Sequence, residues 1–141
     1  MSDENTARYA VQRKVSASRT SWIDVFRIKD PGYELAMNSP EFDNEAGLDG
    51  VTRLFKALKD GTVLRVSEAE YDAGRALPVP YTHSFCVCKH LGEKPYGFKL
   101  SDAEYYPILV SGDWHRTEDE AAAVLADFTD ALKAGSVKIL F

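Results

Sequence analysis

Apolar residues recur at Val51, Leu54, Phe55 and Leu58, and again at Ala121, Val124, Leu125, Phe128, Ala131 and Leu132. Both sets follow the 3.6-residue period of a helix with one buried face. Each set runs into a glycine, Gly61 or Gly135, the residue that best tolerates a left-handed helix stop. A short apolar stretch follows each glycine, at 62–66 and 136–141, and predicts a strand. The second helix has a clear start: Thr117 and Glu120 form a Thr-x-x-Glu capping box, and Glu118 and Asp119 add negative charge to the first turn, where the helix dipole favours it. The first helix starts more softly. Asp43 and Asp49 are its cap candidates, Gly47 and Gly50 each cost about 1 kcal/mol against alanine in a helix interior, and Ser39-Pro40-Glu41 reads as a short turn with proline at the first helical position.

Upstream of each helix the pattern changes to strand-like stretches. In the first half these are residues 9–15 and 21–28, separated by turn-like residues 16–20 and followed by the turn Asp30-Pro31-Gly32. In the second half they are residues 81–90 and 96–100, joined by the loop Gly92-Glu93-Lys94-Pro95, with 105–110 as a further strand or a packed loop.

The two halves resemble each other. Residues 57–63 read Ala-Leu-Lys-Asp-Gly-Thr-Val and residues 131–137 read Ala-Leu-Lys-Ala-Gly-Ser-Val, an offset of 74. The same offset lays Val51 on Leu125, Leu54 on Phe128, Leu58 on Leu132, Val11 on Phe85, Phe26 on Leu100 and Trp22 on Tyr96. A duplicated unit follows. The predicted fold is α+β: two pseudo-repeated strand-strand-helix-strand units, a mixed or antiparallel sheet, and two helices packed on one face. Residues 1–141 form a single compact domain, with halves 7–69 and 81–141 joined by a linker at 70–80, where Gly74, Pro78 and Pro80 interrupt regular structure. The last strand, with Val137, Ile139, Leu140 and Phe141, is expected to be central or well covered, because an exposed apolar edge invites pairing with another chain.

Charge narrows the classes. Lys and Arg number 17 against 22 Asp and Glu, a net charge of −5 over 141 residues. No basic stripe exists to neutralise phosphates, so nucleic acid is an unsuitable partner. No run approaches the 18 apolar residues of a membrane span. Met1 to Thr6 is acidic and polar, unlike a secretory leader, and two cysteines are too few for a disulfide scaffold. These features predict a cytoplasmic protein. Acidic groups at Glu68, Glu70 and Asp72 and at Glu118, Asp119 and Glu120 suit either a solvated surface or a basic partner.

Candidate chemistry is sparse, and no cofactor-binding motif is present. Ser84, Cys86, Cys88 and His90 share one face if their segment is extended. Cys86, Cys88 and His90 with His115 would make a zinc ligand set, although the Cys-x-Cys spacing lacks the usual knuckle. Cys88, His90 and His115 would be the catalytic or ligand-binding residues of a cleft between the halves. The loop before the second helix, Asp113, Trp114, His115 and Arg116, together with Tyr105 and Tyr106, has the composition of a recognition surface. The leading expectation is therefore a small acidic protein-binding module (an inhibitor, an antitoxin-like neutraliser or an adaptor) without catalysis or cofactor of its own, whose partner is another protein, a basic one suiting the net charge, with homodimerisation as an added option. The alternatives are a small enzyme or ligand-binding domain using the cleft, and a metal-stabilised oligomeric structural domain.

Overall fold

A computed structural model describes residues 7–29, 32–43 and 45–141. Met1 to Thr6 and the Asp30 and Pro31 of the expected turn lie outside the described residues. Eleven elements run in the order β1 (Tyr9–Val15), β2 (Ser21–Lys29), β3 (Gly32–Asn38), α1 (Ala46–Asp60), β4 (Val63–Val66), α2 (Glu68–Ala73), β5 (His83–Lys89), β6 (Tyr96–Ser101), β7 (Pro107–Ser111), α3 (Glu118–Lys133) and β8 (Val137–Leu140). The α+β class, the mixed sheet and the repeated unit stand. The unit holds one strand more than expected in the first half, β3, and in the second half the segment 105–110, read as a strand or a packed loop, contains β7.

The eight strands among the described residues form one sheet, ordered β4-β5-β6-β7-β3-β2-β1-β8. The halves meet where β3 pairs antiparallel with β7. Each half then sends its last strand across to the other. β4 lies parallel to β5, and β8 lies parallel to β1. The order is thus symmetric about the β3–β7 seam, and neither half closes a sheet alone. Residues 70–80, expected as a linker, contain the back of α2.

The 74-residue offset carries β1 onto β5 and β4 onto β8 without adjustment. It fails by one in between, because 90–95 is one residue longer than 16–20. Val11 pairs with Val25, and its equivalent Phe85 pairs with Leu100. Val25, not Phe26, therefore occupies the place of Leu100, and the overlays of Phe26 on Leu100 and Trp22 on Tyr96 are corrected. Both halves then carry a register shift at the same point, between Val25 and Phe26 and between Leu100 and Ser101. A shared irregularity at equivalent positions is the fingerprint of one unit used twice.

α1 and α3 cover one face and enclose the main core. Leu54, Phe128, Ile23, Leu100 and Leu109 are each 0% exposed there. Phe128 of α3 meets Tyr9 of β1 and Phe55 of α1 edge-on, with centroids 5.1 and 5.4 Å apart. The helix ends follow the sequence pattern, with Gly61 and Gly135 at φ 76° and 71°. The starts do so in part. Thr117 Oγ1 accepts the Glu120 N–H, but Glu120 Oε2 accepts from the Arg116 N–H, one residue before the cap. α1 has Glu45 at its cap position with no side-chain bond, so neither Asp43 nor Asp49 caps it. Residues 39–41 are not helical, and Phe42 instead bridges Ser21.

The expectation for the last strand is overturned. β8 is a sheet edge, and Ile139, Leu140 and Phe141 are 44%, 45% and 43% exposed. The opposite edge differs. Arg65 of β4, the equivalent of Ile139, pairs with Glu118 at 3.4 Å, and a charge of this kind blunts an edge.

Candidate functional site

The residues singled out from the sequence do not converge. Tyr105 sits under α2, its ring edge-on to Tyr71 and its hydroxyl donating to the Arg75 carbonyl. Tyr106 is exposed on a groove beside α1. Asp113 and His115 line a second groove beside α3. Trp114 turns the other way. Its ring lies over Gly97, where a Cβ would come within 2.8 Å of it, and meets the His90 ring edge-on at 4.5 Å. Arg116 is exposed, and only its backbone N–H engages Glu120. The expected six-residue recognition patch is therefore dispersed over separate surfaces.

The thiol and histidine sets are dispersed too. Cys86 and Cys88 are free, buried thiols on the sheet face away from the main core, clustered with Val66, Leu64, Tyr71, Leu77 and Tyr105. Their Sγ atoms face the carbonyls of Val87 and Cys86 at 3.8 and 3.7 Å. Contact with the Cys88 sulfur and burial push the Cys86 thiol up. His90 is on the rim with Trp114, and His115 is on the helix side, in the groove that Tyr9 also lines. Among the described residues no three His, Cys, Asp or Glu side chains come together as a metal site.

What covers the thiols is the main asymmetry of the molecule. Ser67 caps α2 with a complete capping box, accepting from the Glu70 N–H while the Glu70 carboxylate accepts from the Ser67 N–H. Tyr71 then reaches the sheet, its hydroxyl bonding to Ser101 Oγ at 3.1 Å and to the Tyr105 carbonyl at 2.8 Å. Lys99, facing Cys86 across the β5–β6 pair, has its ammonium 5.2 Å from the Tyr71 ring centre.

On the equivalent face of the other half, on β1, β2 and β3, no helix lies among the described residues. Trp22, Asp24, Phe26 and Ile28 alternate along it, with the Trp22 indole N–H donating to Asp24 at 3.1 Å. The Lys14 ammonium stands 6.0 Å from the Phe26 ring centre, and Tyr33 meets that ring edge-on at 6.2 Å. Tyr33 is 70% exposed and Ile28 37%. Among the acidic groups, Glu68 accepts the Lys89 N–H, Glu70 caps α2, and Glu118 pairs with Arg65.

On the helix side lie two grooves related by the repeat. The first, about 350 Å³, is walled by Ala46, Gly50 and Arg53 of α1 and by His83, Asp102 and Tyr106 of the other half. The second, about 460 Å³, is walled by Glu120, Val124 and Asp127 of α3 and by Tyr9, Arg27 and Glu34. Under the repeat His83 corresponds to Tyr9, Arg53 to Asp127, Asp102 to Arg27, and Gly50 to Val124. In the second groove the Tyr9 hydroxyl donates to Asp127 Oδ2 at 2.5 Å and Arg8 donates to Oδ1 at 3.2 Å. Burial, then the Asp127 hydrogen bond, hold the Tyr9 phenol well above its usual range. In the first groove His83 Nδ1 shares a hydrogen bond with Thr82 Oγ1 at 2.8 Å, and burial lowers the imidazole from its ordinary value, against a weaker pull from Asp102. Arg53 was not singled out from the sequence. The alternation of Trp22, Phe26 and Ile28 with Ile23 and Val25 was a visible signal of an apolar second face. Arg53 gave none, since no local pattern on a helix surface shows that it will share a groove with the other half.

No family model matches the chain, and no curated protein matches it. Two solved structures do resemble it. One is the solution structure of UPF0339 protein SO3888 from Shewanella oneidensis, with TM-score 0.55 and 12% identity over 96% of this chain and 92% of that one. The other is the solution structure of yegP from E. coli, a protein of unknown function, with TM-score 0.48 and 12% identity over 95% and 92%. At this identity the likeness to the first shows the fold alone. Among the described residues no helix is long and apolar enough to cross a membrane.

Proposed function

We propose that the protein is a binding module that holds an amphipathic helix of another protein against the outer face of β1, β2 and β3. One observation carries this reading: the repeat-equivalent face is covered by α2, and among the described residues no helix covers this one. The covered half supplies the template, a short acidic helix that lays an aromatic ring on the strands. The open half offers Phe26, Ile28 and Tyr33 as the apolar seat and Lys14 beside it. Asp24 is held by Trp22. The face carries one cation, Lys14, and one anion, Asp24, so its apolar seat and not its charge sets the partner, and aromatic anchors of this kind commonly dominate such interfaces.

The test is capture from native lysate with three forms of the chain: wild type, a double variant Ile28→Asp with Tyr33→Asp, and a control Val79→Asp at an exposed position remote from this face. Circular dichroism first verifies that all three fold alike. A protein retained by wild type and the control but lost by the double variant is the expected result, confirmed by a photocrosslinker at position 33. Identical capture by all three forms overturns the reading.

A further inference from the structure

The thiol pair beneath α2 has no part in the docking face on the other half. Cys86 and Cys88 stand two positions apart on β5, so their side chains leave the same face of the strand. They are 1% and 7% exposed, both are free, and their sulfur atoms are close enough to act on each other directly. The extended backbone sets their Cα atoms about 6.6 Å apart, at the upper end of the range that a disulfide accepts. That spacing suits an ion between the sulfurs better than a bond joining them. Two metal–sulfur bonds in line span about 4.5 Å, and sulfurs leaning toward each other from neighbouring positions on one strand face reach it.

The repeat supplies a second observation. Cys86 and Cys88 correspond to Gln12 and Lys14, and Lys99, one place before Leu100, corresponds to Asp24. Cys86 lies opposite Lys99 on β6 as Gln12 lies opposite Asp24 on β2. The first half therefore carries an ammonium on the outer face of β1 and a carboxylate on its neighbour. The second half carries two thiols on β5 and the ammonium on the neighbour. Charge is reversed in the way that a pair of thiolates requires. Lys99, 5.2 Å from the Tyr71 ring centre, acts by charge on both sulfurs. Glu68 and Asp72 of the covering helix act on Cys88 in the opposite sense and favour a cation beside it. Among the described residues no His, Asp or Glu joins the two sulfurs as a third ligand.

We infer that Cys86 and Cys88 bind one copper(I) ion between their sulfurs as a two-coordinate bis-thiolate, with Lys99 as its countercharge. Uptake forms two copper–sulfur bonds, breaks two S–H bonds and releases two protons, leaving a complex with one negative charge; no electron is transferred. Thiolates select soft ions. Zinc completes its shell with four ligands, and calcium and magnesium require oxygen donors. Copper(I) is satisfied by two sulfurs in line, so it is the ion that this donor set fits. Val66, Leu64, Leu77 and the Tyr71 ring wall the pair with apolar surface.

The experiment is anaerobic titration of the full, reduced chain with copper(I) against a competing copper(I) chelator, with X-ray absorption to identify the neighbours of the metal. One ion per chain with two sulfur neighbours is expected. Cys86→Ser and Cys88→Ser should each weaken binding by about a hundredfold, and Lys99→Glu, which keeps both thiols, by about tenfold. His90→Ala should leave binding unchanged. Circular dichroism checks that each variant folds, and Lys99→Glu, at a partly exposed position, keeps the test decisive if a buried serine disturbs β5. Equal binding by wild type and Lys99→Glu would show thiols that take copper without a built site, and overturns the inference. Nitrogen neighbours on the metal, or undiminished binding by a folded single-cysteine variant, overturn it as well.

Discussion

Phe128→Ala tests how the halves depend on each other. The ring is fully buried, and it touches Tyr9 from the first strand and Phe55 from the first helix while itself belonging to the second half. Truncating a buried phenylalanine costs about 3–5 kcal/mol, and two edge-on partners place this site toward the upper part of that range, since each aromatic pair adds about 0.5–1.5 kcal/mol beyond area burial. The expected loss is about 4 kcal/mol, a large share of the ~5–15 kcal/mol typical of a domain. With a urea m-value of about 2 kcal/mol/M, the midpoint should fall by ~2 M. Unfolding is read by circular dichroism and amide exchange together. Because the two halves exchange strands, protection should fall in β1 and β5 alike, in one transition. A midpoint shift below ~0.5 M, or protection lost only within residues 83–141, would refute the reasoning.

Three other outcomes follow from the same contacts. Tyr9→Phe removes the hydroxyl that bonds Asp127 and should cost about 1–2 kcal/mol at pH 7; and because the folded phenol titrates above its unfolded value, the unfolded chain loses its proton first, so wild-type stability should decline as pH rises above about 10, a decline smaller in the variant. Ser67→Ala removes the α2 cap, worth about 1 kcal/mol, and should speed labelling of Cys86 and Cys88 by a thiol reagent severalfold without changing the global midpoint; equal labelling rates would show that α2 does not gate these thiols. Ile139→Lys gives the β8 edge the kind of charge that Arg65 gives β4, and should reduce light scattering on heating; unchanged scattering would show that this edge is not where chains associate.

The helices were legible because the 3.6-residue period, the two glycines and the Thr117 cap all point to the same boundaries. The third strands were less so: β3 gave no signal, and β7 could be read as a strand or as a packed loop. Most of the start of β3 is exposed, which blurs alternation, and β7 is five residues long and begins with a proline. α2 buries no residue fully, so no period announces it, although Ser67-Glu68-Ala69-Glu70 spells the capping box that the helix uses. The repeat itself was readable near the helices, where no loop intervenes, and slipped by one after a hairpin of different length. Function was hardest to read for a topological reason. Which residues face each other depends on β4 and β8 crossing to the opposite half, and no local pattern encodes that exchange. His83 and Arg53 are 30 positions apart, and the packing of one half against the other places them on one groove.

That exchange is also the most directly measurable feature. Long-range proton NOEs across the parallel pairs should link Val11 with Ile139 and Leu64 with Ser84. Their presence is the expected result. NOEs joining residues 63–66 to β1, and 137–140 to β5, would mean that each half closes on itself, and would remove both the shared sheet and the grooves built across it.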